Sequence, residues 1–286
     1  MTLVQAVVLG LVQGLTEFIP ISSTAHLRIV PALAGWADPG AAFSAVIQLG
    51  TLAAVFIYFA GDIRRLTVAA VRSLFQRQAR SHPDARLAWG IAAGNIPIVV
   101  LGLGFKETIE NDLRSLYLVA FMLAAVALWL GWVEWRLKQK AGPGKVAPDE
   151  NTGGMAGLSL RTILIIGCFQ AMALVPGASR SGSTLLGGLL VGLSRGEAAR
   201  FSFLLGIPAI FGSGLLELPL VLDAVGRGEL STGALIGGLL AAGLSGYAAI
   251  AFLLAYLKTR TTLLFVGYRL VLAALVAGLA WQGFIY

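Results

Sequence analysis

The chain has 286 residues, of which 57% are hydrophobic and only 12% charged, against roughly a quarter charged in soluble domains, so a soluble surface of this size could not be covered. Disorder, collagen and disulfide scaffolds are excluded too: aliphatic content is high, the 36 glycines keep no fixed period, and Cys168 stands alone. The net charge of +7 does not point to nucleic acid, because the basic residues cluster in short segments between apolar runs, as membrane orientation requires, and no nucleic-acid motif occurs.

The N-terminal run has no basic residue before Arg28 and is interrupted by Gln13 and Glu17, so it does not read as a signal peptide. Residues 3–35 are apolar but broken by PISSTAH (20–26), and residues 160–193 are broken similarly by PGASRSGST (176–184). Each predicts two half-helices around a polar hinge. The other apolar runs lie near 41–60, 87–105, 115–135, 201–222, 232–257 and 262–285, each suited to a hydrocarbon core that takes about 20 residues to cross. Unpaired backbone cannot face lipid, so the hinges must be buried in protein or line a wet cavity, and two re-entrant hairpins are the simplest arrangement.

Charge placement agrees with this. If both hairpins return to the side they enter from, segments 61–86, 136–161, 194–200 and 258–260 share one face. That face holds most of the 21 Lys and Arg residues, among them Arg64, Arg72, Lys138, Arg195 and Lys258. The opposite loops hold Lys106, Arg114 and Arg227. The positive-inside rule then predicts cytoplasmic basic loops and both termini outside.

The halves also resemble each other. Gln13 and Pro20 followed by Ser22-Ser23-Thr24 parallel Gln170 and Pro176 followed by Ser179 and Ser181, and Phe43-Ser44 parallels Phe201-Ser202. Each half holds one hairpin and three crossings, an odd number that inverts the second half. The expected fold class is an all-α polytopic membrane protein, with six transmembrane helices plus two re-entrant helix hairpins in an inverted repeat. The expected organisation is a first repeat at 1–138, a polar cytoplasmic linker at 139–159 and a second repeat at 160–286. Such repeats place a site near the midplane, where half-helix N-termini meet.

Ionisable groups inside a membrane cost roughly 2.5–3.5 kcal/mol each even on insertion scales, which makes them functional candidates. Here these are Glu17, His26, Arg28, Arg180 and Arg269. Glu134 and Glu217, near segment ends, read as solvated. Gln13 and Glu17 share a helix face before Pro20. Ser22 or Ser23 suits the N-cap of the next half-helix, and His26 follows on the serines' face. Hydroxyl, imidazole and carboxylate in one hinge are the material of an activated nucleophile: Ser attacks, His handles its proton and the carboxylate orients the His. Ser22 and Thr24 taken alone read better as a hydrogen-bonded knot stabilising the hinge.

The second hinge offers the hydroxyls of Ser179, Ser181, Ser183 and Thr184, flexible Gly177 and Gly182, and the planar fork of Arg180. Together with a half-helix N-terminus these read as an anion cradle. For Arg269, pairing with Glu17, binding phosphate and snorkelling to the cytoplasmic end stay open. Arg28 points away from the His26 face and reads as structural, and His82 reads as solvated. No HExxH, CxxC, DDxxD or Walker pattern occurs, so no dedicated metal cage is expected.

QGLTEFIPISSTAH (13–26) and LVPGASRSGST (174–184) resemble the two signatures of bacterial undecaprenyl-diphosphate phosphatases, the bacitracin-resistance family. FSAVIQLG (43–50), FSFLLGIP (201–208) and Tyr268-Arg269 support the resemblance, which runs through nearly the whole chain. It implies a phosphatase of the bacterial plasma membrane that hydrolyses undecaprenyl diphosphate to undecaprenyl phosphate and inorganic phosphate. Such an enzyme recycles the lipid carrier for peptidoglycan synthesis and confers bacitracin resistance. The implied partners are a polyprenyl diphosphate lipid and the bilayer, with no nucleic acid; a homodimer is compatible with the sequence. A divalent cation, Mg²⁺ or Ca²⁺, is implied as substrate-associated.

Carried over by position, Glu17, Ser23, His26 and Arg180 match the family's catalytic set. Gln13, Ser22, Thr24, Ser179, Ser181, Thr184 and Arg269 are expected at the substrate's phosphates, and Glu17 is the expected metal contact. Gln13 stands where the family often has a first carboxylate, which argues against a metal held by two glutamates, and Ala25 stands where Gly is common. The rival reading is a flippase or secondary transporter of a phosphate-bearing lipid, which shares the architecture and the anion site but has little use for an aligned Ser and His.

Overall fold

The computed structural model describes residues 1–111, 113, 115–141 and 154–283, and among these no β-strand occurs. In chain order the helices are α1 (Leu3–Phe18), α2 (Ser23–Ala34), α3 (Gly40–Tyr58), α4 (Ala60–Phe75), α5 (Pro83–Gly94), α6 (Ile96–Gly104), α7 (Lys106–Asn111), α8 (Leu116–Ala141), α9 (Leu160–Ala171), α10 (Arg180–Leu190), α11 (Arg195–Gly226), α12 (Thr232–Leu257) and α13 (Leu263–Trp281). Among the described residues six stretches are long and apolar enough to cross a membrane: α3, Pro83–Gly104, Leu116–Lys140, α11, α12 and α13. The protein is an all-helical, multi-pass membrane protein.

The expected run at 87–105 is in fact two helices, α5 and α6. Asn95 explains the break: its Nδ2 donates to Ile91 O at 2.8 Å and to Leu205 O at 3.0 Å. Pro97 follows in the first turn of α6, where a missing N–H is no loss. The segment 61–86, expected as a basic loop, folds largely into α4 and a short 3-10 helix, Arg77–Ser81. Leu66 and Ser73 turn inward while Arg64, Arg65 and Arg72 stay exposed, so the charges masked an amphipathic period. Asp62 ties this helix down by accepting from Arg65 at 3.3 Å and from Arg200 at 2.8 Å. The linker expected at 139–159 falls mostly outside the described residues, as does Arg114.

Close packing begins with small residues. Gly10 and Gly14 line the side of α1 that meets α12, where a Cβ at Gly10 would strike Gly238 O and one at Gly14 would strike Ser245 Oγ. Gly50 of α3 meets Leu239 O in the same way. In lipid, helices associate through such backbone proximity and dispersion rather than through the hydrophobic effect. The α1 N-terminus is fixed by a capping box, in which Thr2 Oγ1 accepts from Gln5 N at 3.2 Å and Gln5 Oε1 accepts from Thr2 N at 2.8 Å. The seam thereby holds the inward face of α1, which carries Gln13 and Glu17.

Glu134 is not solvated as the sequence suggested. It is 2% exposed and accepts from Arg195 Nε at 2.9 Å and Nη2 at 2.5 Å, and from Thr262 N at 2.9 Å and Oγ1 at 2.8 Å. Its position near a helix end suggested solvent, but the starts of α11 and α13 close over it. Removing one partner of such a pair strands the other charge, at about 3–5 kcal/mol. Glu134→Ala should therefore lower the thermal unfolding temperature in detergent by several degrees, and an unchanged midpoint would contradict a structural role for the pair.

Candidate functional site

Two hinges carry the polar residues. One joins α1 to α2 and the other joins α9 to α10, and each ends in an N-cap serine with positive φ, +74° for Ser22 and +69° for Ser179. Among the described residues no other non-glycine does this. Such backbone costs about 1–3 kcal/mol and persists only where the surroundings over-determine it. Ser179 offsets part of that cost, because its Oγ accepts from Gly182 N at 3.2 Å. Ser22 does not: it is 1% exposed and its hydroxyl has no partner.

Glu17 stands between the first residues of the two following helices. Its Oε2 accepts from Ser23 Oγ at 2.6 Å and from Gln13 Nε2 at 2.7 Å, and its Oε1 accepts from Arg180 Nη2. Ser23 opens α2 and Arg180 opens α10, so the first side chains of two helices, whose N-termini each carry a partial positive charge, meet on one carboxylate. Glu17 is 6% exposed, whereas Ser23 and Arg180 are half-buried and Thr24 is exposed. Among the described residues only the Nη2 of Arg180 is engaged, so the rest of its fork remains for an anion.

Arg269 fixes the hinges from behind. It has no exposed surface, and it donates from Nε to Leu123 O at 3.1 Å and from Nη1 to Pro20 O at 3.2 Å. Its Nη2 serves Gly177 O at 3.0 Å, Ala178 O at 3.2 Å and Met122 O at 3.2 Å. One guanidinium thus binds both hinges to the N-terminal third of α8. Expected as a phosphate ligand, it is enclosed by main-chain oxygens. Gly177 completes this contact, since its φ is +93° and a Cβ there would strike Val119 O. Ser181 Oγ adds a second tie, donating to Ile19 O at 3.2 Å.

The other predicted residues distribute as follows. His26 binds Ser22 O through Nδ1 at 2.7 Å and the Tyr268 hydroxyl through Nε2 at 2.7 Å, while the Ser23 hydroxyl is turned to Glu17. Thr184 is fully buried, its Oγ1 donating to Arg180 O at 2.8 Å. Ser183 donates to Ala178 O at 3.3 Å. Gln170, the counterpart of Gln13, reaches Asn95 Oδ1 at 2.9 Å and lies away from the carboxylate. Tyr268 was not singled out as a site residue; its place beside Arg269 was the available signal.

The donor set does not fit a divalent ion held by the protein. Among the described residues no three His, Cys, Asp or Glu side chains gather, and both oxygens of Glu17 already have donors. What the arrangement offers is a hydroxyl bonded to a carboxylate, beside an arginine fork and two helix N-termini. That is equipment for transferring an anionic group to an oxygen nucleophile.

Losing the Arg269 fork would leave buried carbonyls without donors, at about 1–3 kcal/mol for each group left unmet. Arg269→Lys, which keeps the charge but not the fork, should lower the unfolding temperature in detergent. A wild-type midpoint would show that the hinges do not need the clamp.

The chain is similar along nearly its whole length to known proteins. The sequence model of the family described as bacitracin resistance protein BacA matches residues 6–275. The undecaprenyl-diphosphatase of Chlorobium phaeobacteroides (strain BS1) is 50% identical over 285 residues, covering 100% of this chain and 99% of the relative. That of Prosthecochloris aestuarii is 48% identical over 283 residues, covering 99% of each chain. That of Chloroherpeton thalassium is 47% identical over 283 residues, covering 99% of this chain and 98% of the relative.

Proposed function

The chain belongs to the bacitracin resistance protein BacA family, and we infer from this that it is an integral-membrane undecaprenyl-diphosphatase. It hydrolyses undecaprenyl diphosphate to undecaprenyl phosphate and inorganic phosphate, and so returns the lipid carrier to peptidoglycan synthesis and confers bacitracin resistance. The observation that carries the catalytic reading is the Glu17 carboxylate, bonded at once to Ser23 Oγ and to Arg180. A lipid transporter would need the anion site but would have no use for a hydroxyl held on a carboxylate.

In our reading the diphosphate lies at the open side of the hinges, with its prenyl chain in the bilayer. Ser23 Oγ attacks the terminal phosphorus as Glu17 takes its proton. The bond to the bridging oxygen breaks, and undecaprenyl phosphate leaves. Arg180 and the first N–H groups of α2 and α10 stabilise charge on the transferring phosphoryl group. Water then attacks the phosphoserine, inorganic phosphate leaves, and the proton on Glu17 returns to Ser23. Gln13 holds Glu17 in place. Ser22, Thr24, Ser179 and Ser181, on the hinges and the first turns of α2 and α10, are the remaining phosphate contacts in this reading. We assign the divalent cation to the substrate's diphosphate, because the one carboxylate at the hinges is already matched by Arg180.

We further propose that α1–α2 and α9–α10 are re-entrant hairpins of an inverted repeat. Helices of 16 and 12 residues fall short of the roughly 20 residues that a bilayer core takes. The matching positive-φ serines at Ser22 and Ser179 support equivalence of the two hinges. With the hairpins re-entrant, the basic α4 segment lies in the cytoplasm and the termini lie outside.

Ser23→Ala should reduce phosphate release from undecaprenyl diphosphate by more than about 10³-fold while substrate binding persists. Retained release would remove Ser23 as nucleophile. Arg180→Lys should lose about 10²–10³-fold in kcat, because an ammonium cannot replace the fork; near-normal turnover would sink the role given to Arg180. A cysteine introduced between 75 and 85 should resist an impermeant thiol reagent added to intact cells, and labelling from outside would overturn the orientation.

A further inference from the structure

We propose that Tyr268 positions His26 and carries its proton to the reacting phosphate, a role that rests on the phosphatase reading above. Ser22 O can only accept, so the hydrogen in its 2.7 Å contact sits on His26 Nδ1. That leaves Nε2 as the nitrogen that can gain or lose a proton during turnover. Its partner is the Tyr268 hydroxyl, 2.7 Å away. The two rings lie nearly parallel, 8° apart with centroids separated by 5.7 Å. The Ser23 hydroxyl is held by Glu17 instead, so the nucleophile and the imidazole belong to separate hydrogen-bonded pairs.

His26 is 8% exposed and Tyr268 44%, and the relay runs outward from the buried imidazole to the more exposed phenol. A tyrosine hydroxyl both donates and accepts, and it therefore suits a neutral and a protonated imidazole equally. Its place is fixed as well, because the next residue is Arg269, which grips both hinges.

When the bond between phosphorus and the bridging oxygen breaks, its electron pair stays on that oxygen, which takes the Tyr268 hydroxyl proton. The Nε2 proton of imidazolium His26 passes to the phenol oxygen, and both side chains end neutral. When water attacks the phosphoserine, the water proton goes to the phenol oxygen and the phenol's own proton returns to Nε2. Each turnover thus restores the starting state.

The test compares phosphate release from undecaprenyl diphosphate by the wild type, Tyr268→Phe and His26→Gln across pH. Tyr268→Phe keeps the stacked ring and should lose about 10²-fold in kcat with KM changed less than twofold. It should also lose the limb of the kcat–pH profile that His26→Gln loses. A Phe variant with wild-type kcat and an intact limb overturns the relay, whereas a wild type that releases no phosphate overturns the phosphatase reading on which it rests.

A second readout needs no activity. The chain has 2 histidines, so His82→Gln leaves His26 as the single imidazole for ¹⁵N NMR. The neutral ring should carry its proton on Nδ1, and Tyr268→Phe in that background should shift the Nε2 resonance. A proton found on Nε2 in the neutral ring, or an Nε2 resonance indifferent to the Phe change, contradicts the proposal.

Discussion

A guanidinium with no exposed surface is stable only where enough acceptors surround it, and Arg269 finds them in the two hinges, just after α1 and just before α10. Carbonyls at a helix C-terminus or in a hinge lack N–H partners, and in a membrane interior water does not replace those partners. Pro20, Gly177 and Ala178 present such oxygens, and Arg269 meets all three while also reaching Met122 and Leu123. Two costs, a buried charge and orphaned carbonyls, offset each other at one point. The consequence is geometric, because two hinges whose residues Ile19 and Ser181 are 162 apart in sequence are held at one site against α8.

Everything chemical follows from that placement. Glu17 reaches the first residue of α2 and the first of α10 because the hinges preceding those helices are gripped together. Two arginines and one carboxylate leave a local excess of positive charge, and both helix N-termini add to it. Such a place favours a diphosphate and, more strongly, the charge that develops on a phosphoryl group in flight. The small-residue seam between α1 and α12 supplies the rigidity, since any Cβ at Gly14 would push Glu17's helix away from its partners.

The sequence disclosed the parts of this that are local. Pro, Ser and Thr breaking an apolar run mark a hinge in any reading, and Glu17, Ser23 and Arg180 stand out because polar groups are costly in lipid. Pairings across the chain were harder to see. Tyr268 lies 242 residues from His26, and a tyrosine in an apolar helix carries no signal of its own. Glu134 looked solvated because Arg195, its buried partner, sits in a segment that reads as a basic loop. The order within the first hinge was also hidden. A serine followed by a histidine on the same helix face suggests a pair, but the turn forced by the positive φ of Ser22 sends the Ser23 hydroxyl to Glu17.

The central claim is that Glu17 and Ser23 act as one unit, and a double-mutant cycle on phosphate release tests it most directly. Residues that act in one step lose most of their effect together, so the combined Glu17→Gln and Ser23→Ala enzyme should be no slower than the worse single variant. Losses that multiply in the double variant would mean that carboxylate and hydroxyl serve separate steps, and the account of the nucleophile would fail.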